Sequence, residues 1–232
     1  MKLNSTAGDI EILDLGLIDF AEALNLQHSL VERRLAGIIP DTVIIAEHSP
    51  VITLGARQTA NRLLADSQTL RLRNIPVVRI RRGGGATAHN PGQVIAYPIM
   101  NLGRLGGGVS AYVRRLEEAA AELVTSLGVS CRRRHGLPGI WTDERKIASV
   151  GVRVRRQVTY HGVAVNISND LGIFDLLVPC GLENVRMTSV AAETGDIPPM
   201  SEVRRLFAGI IRRVLEEESR IHNSAVEMDN VD

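Results

Sequence analysis

Lys146-Ile147-Ala148-Ser149-Val150-Gly151-Val152-Arg153-Val154-Arg155 runs through Arg156-Gln157 into Val158-Thr159-Tyr160-His161-Gly162-Val163-Ala164-Val165-Asn166-Ile167, and this stretch decides the fold. From Ala148 onward the first arm alternates, with Ala148, Val150, Val152 and Val154 on one face, which is the two-residue period of a strand. The second arm reads as its return strand, with the turn at Arg156-Gln157. Gly151 and Gly162 leave the pair without side chains at two points, the pattern expected where a ligand lies close to a sheet.

Working outward, the chain has other short strands. Ile75-Pro76-Val77-Val78-Arg79-Ile80 leads into Arg82-Gly83-Gly84-Gly85-Ala86-Thr87-Ala88-His89-Asn90-Pro91-Gly92-Gln93, and Val94-Ile95-Ala96-Tyr97-Pro98-Ile99 follows. Residues 9–15 predict a strand, and 42–55 predict two strands broken by a turn, where Glu47 and His48 form either a local hydrogen-bonded pair or part of a site. A helix is expected from Leu17 to Leu35, and His28 on it is read as a boundary residue, not a ligand. Tyr112, Val113, Leu116, Ala119, Ala120, Leu123, Val124 and Leu127 recur at three and four, so a helix capped by Ser110 and stopped by Gly128 covers the sheet. Leu171 to Val178 reads as one more apolar run. A last helix starts near Ser201, and residues 222–232 are expected to fray. Close hairpins, without repeated strand-helix-strand units, predict an α+β fold: a mixed, largely antiparallel sheet covered by helices. No linker or repeat divides the 232 residues, so a single domain with a core at 10–215 is expected.

With 44% hydrophobic, 23% charged and only 3% aromatic residues, the chain reads as a soluble globular protein. No apolar run suits a membrane helix, and the first residues lack the apolar stretch of a secretion signal. Cys131 and Cys180 make neither a metal pair nor a disulfide framework, and a cytoplasmic location is expected. Low aromatic content and a net charge of +1 argue against nucleic acid despite Arg81-Arg82 and Arg132-Arg133-Arg134, which suit an acidic protein partner instead.

Three consecutive glycines cost backbone entropy and give no packing, so 83–85 suggests a backbone wall against a ligand. No Gly-Lys-Ser or Gly-Lys-Thr follows, which excludes a phosphate-binding P-loop, and Rossmann spacing is absent. Nearly all the basic residues are arginine; Lys2 and Lys146 are the two lysines. A lysine kept where arginine is used so widely points to a group that must be able to lose a proton. Cys180, between Pro179 and Gly181, is a rigidly placed thiol, and Cys131 remains a second candidate on chemistry alone. A thiol is mostly protonated near neutrality and an ammonium beside it favours the thiolate, so a Cys and Lys pair suits acyl transfer through a thioester. His89 and His161 flank glycine-bearing strands and are candidates to shape a common pocket. No histidine pair has metal-ligand spacing, and no metal is expected.

Several ordered blocks then carry a resemblance: Glu47 through Gly55; Arg82-Gly83-Gly84 with Thr87, His89 and Pro91-Gly92-Gln93; Pro138-Gly139-Ile140-Trp141 with Lys146-Ile147-Ala148; His161 through Asn166; Pro179-Cys180-Gly181; and Met187-Thr188-Ser189. In these the chain resembles the lipoyl(octanoyl) transferase family, also called lipoate-protein ligase B. The resemblance implies the catalytic fold of biotin and lipoate protein ligases, and transfer of an octanoyl group from octanoyl-acyl carrier protein to a lysine of a lipoyl domain of 2-oxoacid dehydrogenases or of glycine cleavage H protein. Cys180 and Lys146 would then be catalytic. Arg82, Gly83, Gly84, Gly85, Ala86, Thr87, Ala88, His89, Ser149, Val150, Gly151, Gly162, Val163 and Ala164 would line the substrate site, with His161 and Asn166 behind them. No cofactor is implied, because the donor is already a thioester, and a monomer is expected. The sequence departs from the family pattern at Arg81, Gly85, Ala88 and Asn90, which bears on acyl preference. An ATP-dependent lipoate ligase, or a binding module without catalysis, is the alternative reading.

Overall fold

The computed structural model describes residues 10–182 and 185–229, without the side chains of Cys180 and of residues 218–229. In chain order its strands and helices are β1 (Glu11–Ile18), α1 (Phe20–Leu35), β2 (Thr42–His48), β3 (Val51–Leu54), β4 (Arg62–Leu63), α2 (Ser67–Leu72), β5 (Val77–Arg79), β6 (Thr87–His89), β7 (Gln93–Ile99), α3 (Gly108–Ser126), β8 (Arg132–Arg134), β9 (Leu137–Thr142), β10 (Arg145–Arg155), β11 (Val158–Asn166), β12 (Leu177–Val178), β13 (Arg186–Met187), α4 (Val190–Thr194) and α5 (Met200–Asp229).

The main sheet has the order β1-β2-β7-β11-β10-β9-β8, with β13 beside β10. Its β1–β2 and β10–β13 pairs are parallel and the rest antiparallel. This is the α+β, largely antiparallel sheet expected from the hairpin. The hairpin itself closes at Arg156 and Gln157, both at positive φ (46° and 72°), the geometry of a two-residue turn that follows the twist of the strands. A second sheet, β5-β3-β6, carries the glycine-rich loop between β5 and β6.

Helices cover both faces of the main sheet, so central strands such as β2 and β7 are apolar at nearly every position instead of alternating. On one face Val43, Ile45, Val94 and Val165 pack against Leu116 and Leu123 of α3 and Phe207 and Ile211 of α5. On the other, Ile44, Ala46, Ile95 and Tyr97 meet Leu30 and Val31 of α1.

Local chemistry sets the element ends, and several differ from expectation. Helix α1 starts at Phe20, because the Asp19 carboxylate accepts the Ala21 and Glu22 N–H groups; Leu17 belongs to β1 and is exposed. Gly107, at φ 63°, precedes α3 in place of Ser110. The run 171–178 is a 3-10 helix (Leu171–Leu176) followed by the short β12. Helix α5 continues to Asp229 instead of fraying at 222, and residues 230–232 lie outside the described residues. Glu47 and His48 do not pair: adjacent strand residues point to opposite faces. Glu47 accepts from Arg204 of α5 and from the Gly92 N–H, while His48 turns toward Tyr97. No described helix is long and apolar enough to cross a membrane.

Candidate functional site

Between α1, the glycine-rich loop and the β10–β11 hairpin lies a narrow slot with a free volume of about 40 Å³. Arg82, Gly84, Thr87, His89, Ser149, Val150, Gly151, His161, Gly162, Val163 and Ala164 line it, together with Phe20, Ile80, Ile95 and Tyr97. The lining is mostly apolar, so the slot suits a hydrocarbon chain with a few fixed polar contacts.

The rest of the predicted set falls outside this lining. Gly85 and Ala86 are buried beside it: Ala86 N–H donates to the Ala60 carbonyl at 3.1 Å, and a Cβ on Gly85 would stand 2.2 Å from that oxygen. Gly83 donates to the Val152 carbonyl at 2.9 Å, tying the loop to β10, and Ala88 pairs with Ile52 in the small sheet. Much of the triple glycine therefore serves close backbone packing, and Gly84, at φ 84°, is its member in the slot wall. The hairpin glycines have similar reasons. A Cβ on Gly162 would meet the Ala96 carbonyl at 2.0 Å, and one on Gly151 would meet Arg82 Cδ and the Gly83 carbonyl at 3.0 Å. Protein neighbours, besides any ligand, exclude side chains there.

The slot's imidazoles are held neutral. Burial first, then the charges of His48, Arg82 and His161, lower His89 to a pKa of about 3, against a partial rise from its bond to Gln93. Its Nδ1 lies 2.6 Å from Gln93 Oε1, so that nitrogen carries the proton and donates. Burial, followed by Arg82, His28 and Arg153, brings His161 to about 3 as well. His161 is at φ 55°, an uncommon conformation for a non-glycine residue, and its N–H donates to Gln27 Oε1 of α1 at 2.9 Å. His48 is also lowered, mainly by burial; its Nδ1 donates to the Ile18 carbonyl at 2.9 Å and Nε2 accepts from Tyr97 at 2.7 Å. Phe20 stacks on His89, with centroids 5.9 Å apart, and meets the His48 ring edge-on.

A buried hydrogen-bond chain leads from His89 toward Lys146. Gln93 Nε2 donates to Asn166 Oδ1 at 2.8 Å, Asn166 Nδ2 donates to the Thr188 carbonyl at 2.9 Å, and Thr188 N–H donates to the Lys146 carbonyl at 2.9 Å. Asn166 thus sits behind the slot as a link between strands. Lys146 itself is 2% exposed, donates from Nζ to the Pro138 carbonyl at 2.8 Å, and stands 5.4 Å from the centre of the Trp141 ring. It lies on β10 three residues before Ser149, about 10 Å along the strand from the slot.

The Cys180 side chain lies outside the described residues, but its backbone forms the 3-10 turn Pro179–Gly181. A Cβ on Gly181 would meet Ala60 at 2.6 Å, so this turn and Gly85 both rest on Ala60. The chain then returns as β13, with Met187 paired to Lys146. The Cys180 turn thus shares Ala60 with the glycine-rich loop, and the strand that follows it pairs with β10 at Lys146. Cys131 is different: half-buried, its thiol contacts Thr125 and the Ala121 carbonyl on α3, and burial pushes its pKa up, which disfavours the thiolate.

Sequence reasoning missed Phe20, Tyr97, Ile95 and Ile80. Each reads locally as core or loop, and what brings them to the slot is packing between segments distant in sequence. Among the described residues no cluster of His, Cys, Asp or Glu could hold a metal ion.

Residues 19–211 match the family model described as lipoyl protein ligase A/B catalytic domain. An octanoyltransferase of Desulfovibrio desulfuricans is 41% identical over 195 residues, spanning 84% of this chain and 82% of that protein. Octanoyltransferases of Syntrophobacter fumaroxidans (40% over 207 residues, 89% and 91%) and Geobacter metallireducens (41% over 206 residues, 89% and 93%) are similar. Among solved structures, a putative lipoate protein ligase from T. acidophilum with bound lipoic acid superposes with a TM-score of 0.67 at 18% identity, over 89% of this chain and 86% of that one. Biotin protein ligase from Aquifex aeolicus superposes with a TM-score of 0.51 at 13% identity, over 91% and 70%. At these identities the structures show a shared fold.

Proposed function

The chain belongs to the lipoyl protein ligase A/B catalytic family, on its octanoyltransferase branch, and from that premise we propose a two-step acyl transfer through Cys180. Cys180 gives its proton to Lys146 and its thiolate attacks the thioester carbonyl of octanoyl-acyl carrier protein; a C–S bond to Cys180 forms, the carrier's C–S bond breaks, and the departing carrier thiolate takes that proton from Lys146. The amine of a target lysine, on a lipoyl domain of a 2-oxoacid dehydrogenase or on glycine cleavage H protein, then attacks the acyl-enzyme. An amide forms, the C–S bond to Cys180 breaks, and the proton lost by the amine passes through Lys146. A thioester donor makes ATP unnecessary, since the acyl group is already activated.

One observation carries this reading: the Lys146 strand also forms the wall of an apolar slot, and β13, which follows the Cys180 turn in the chain, pairs with that strand at Lys146. The octanoyl chain enters along the slot, whose walls move apart to admit it; each buried CH₂ contributes about 0.8 kcal/mol, and length is discriminated by how many the walls can cover. Arg82 donates to the Thr53 carbonyl and hydroxyl and to the Gly83 carbonyl, which hold the loop in shape around the chain. We further propose that the protein acts as one domain and a monomer in the cytoplasm.

Intact-mass spectrometry after mixing with octanoyl-acyl carrier protein tests the proposal. An octanoyl adduct that maps to Cys180, is absent in Cys180→Ser and is discharged by apo-lipoyl domain supports it. Transfer that needs ATP and leaves no adduct overturns it in favour of a ligase.

A further inference from the structure

Three buried carboxylates invite comparison. Asp41 is paired with Arg34 and Arg104, and Glu47 with Arg204. Glu117 on α3, 8% exposed, has no ion pair with a described residue; its Oε1 accepts one hydrogen bond, from Gly139 N–H at 2.8 Å. The carboxylate borders an open cleft that it shares with Arg114, Arg133 and Arg134, so its charge is only partly desolvated, and the hydrogen bond it makes is directed at one backbone amide. The purpose lies at the other end of that amide.

Gly139 N–H and Pro138 C=O belong to one planar peptide unit. The carbonyl is the group on which Lys146 Nζ rests, at 2.8 Å. The order is therefore carboxylate, amide N–H, amide C=O, lysine amine, in a continuous hydrogen-bonded line. A negative charge at the N–H end polarises the amide and makes its carbonyl a better acceptor for the amine.

The surroundings are shaped for this line. Gly139 is at φ 116°, and a Cβ there would stand 2.3 Å from the Ala148 carbonyl and 2.7 Å from Lys146 Cε. Pairing of β9 with β10 is irregular between Lys146 and Ala148, where the peptide turns toward the amine. We infer that Glu117 is a positioning residue for Lys146, acting through the 138–139 peptide to fix the direction and strength of the carbonyl that holds the amine. This rests on the reading of Lys146 as the proton-transfer group.

The test combines steady-state octanoyl transfer with the amide-proton NMR shift of Gly139 in Glu117→Gln, Glu117→Ala and Lys146→Ala. Glutamine keeps an acceptor and removes the charge; we expect about a 10-fold loss in kcat at unchanged donor KM, and about 100-fold for alanine. The Gly139 amide proton moves upfield in both Glu117 variants and shifts in Lys146→Ala too, since all three touch one peptide. Wild-type kcat in Glu117→Gln, or a Gly139 proton indifferent to Lys146→Ala, overturns the inference. Should Lys146→Ala transfer octanoyl at the wild-type rate, the reading of Lys146 fails, while the Gly139 shifts still decide whether the peptide couples the two side chains.

Discussion

The slot between α1 and the β10–β11 hairpin holds imidazoles that burial keeps neutral, whereas Lys146, three residues before Ser149 on β10, is a buried amine seated on a carbonyl. In the slot, desolvation outweighs the hydrogen bonds that the imidazoles make, so they stay neutral, and the charge lining it is the Arg82 guanidinium, engaged with Thr53 and the Gly83 carbonyl. At the lysine, desolvation is offset by a shaped acceptor, so one polar group is retained deep in the protein. In the proposed mechanism this contrast divides binding from proton transfer along a single strand, and it can be attacked from either side.

The largest effect is expected at the lysine. Lys146→Arg keeps a cation but cannot release a proton near neutrality, and octanoyl transfer should fall by about 10³-fold or more. Equilibrium binding of octanoate or a non-hydrolysable octanoyl analogue, followed calorimetrically, should stay within about 3-fold, since the slot is built by other residues. Loss of binding together with turnover would merge the two regions and break the comparison.

Next come the hairpin glycines. Gly162→Ala drives a Cβ to 2.0 Å from the Ala96 carbonyl, so β7 and β11 must separate. Chemical denaturation should report a destabilisation of about 1–3 kcal/mol. A variant as stable as the parent would mean that Gly162 is kept for the ligand alone.

Filling the slot tests its role more gently. Ala164→Leu places extra methyl groups on the lining, and competition between octanoyl and shorter-chain donors should swing about 10-fold or more toward the shorter chain. An unchanged chain-length preference would remove the slot from acyl recognition.

The last test leaves activity aside and reads stability against pH. His89 and His161 have folded-state pKa values of about 3 against the ordinary 6.5, and His48 is lowered as well. Between about 3 and 6.5 the unfolded chain therefore binds protons that the folded chain does not. Their contribution is whole above pH 6.5 and declines as pH falls toward 3. Thermal melts of His89→Phe should show a shallower decline between pH 6 and 4 than the parent; an identical slope would mean that His89 is protonated in the fold.

The hairpin from Lys146 to Asn166, the covering helix α3 and the gathering of glycines at 83–85 are legible in the sequence because their signals are local: two-residue alternation, a repeat at three and four, and punctuation by glycine. Lys146 also stands out locally, being the one lysine in the body of an arginine-rich chain. The strands Leu137–Thr142 and Thr87–His89 escape such reading, since they are short and held by partners far along the chain. Leu171–Leu176 misleads for the same reason: an apolar run tells burial, not backbone shape.

By itself, then, the sequence determined which groups are available: a strand pair, a glycine-rich loop, histidines beside it, one internal lysine and the Pro179-Cys180-Gly181 motif. Tertiary structure alone decided what those groups are worth. His89 becomes a neutral donor because surrounding elements strip its water. Gly162 is obligatory because a carbonyl of β7 fills the space of its side chain. Glu117, unremarked on a helix face, reaches the lysine because α3 lies against the 138–139 peptide. Desolvation, steric exclusion and hydrogen-bond polarisation all fall off within a few ångströms, and only the folded chain brings residues so distant in sequence within that range.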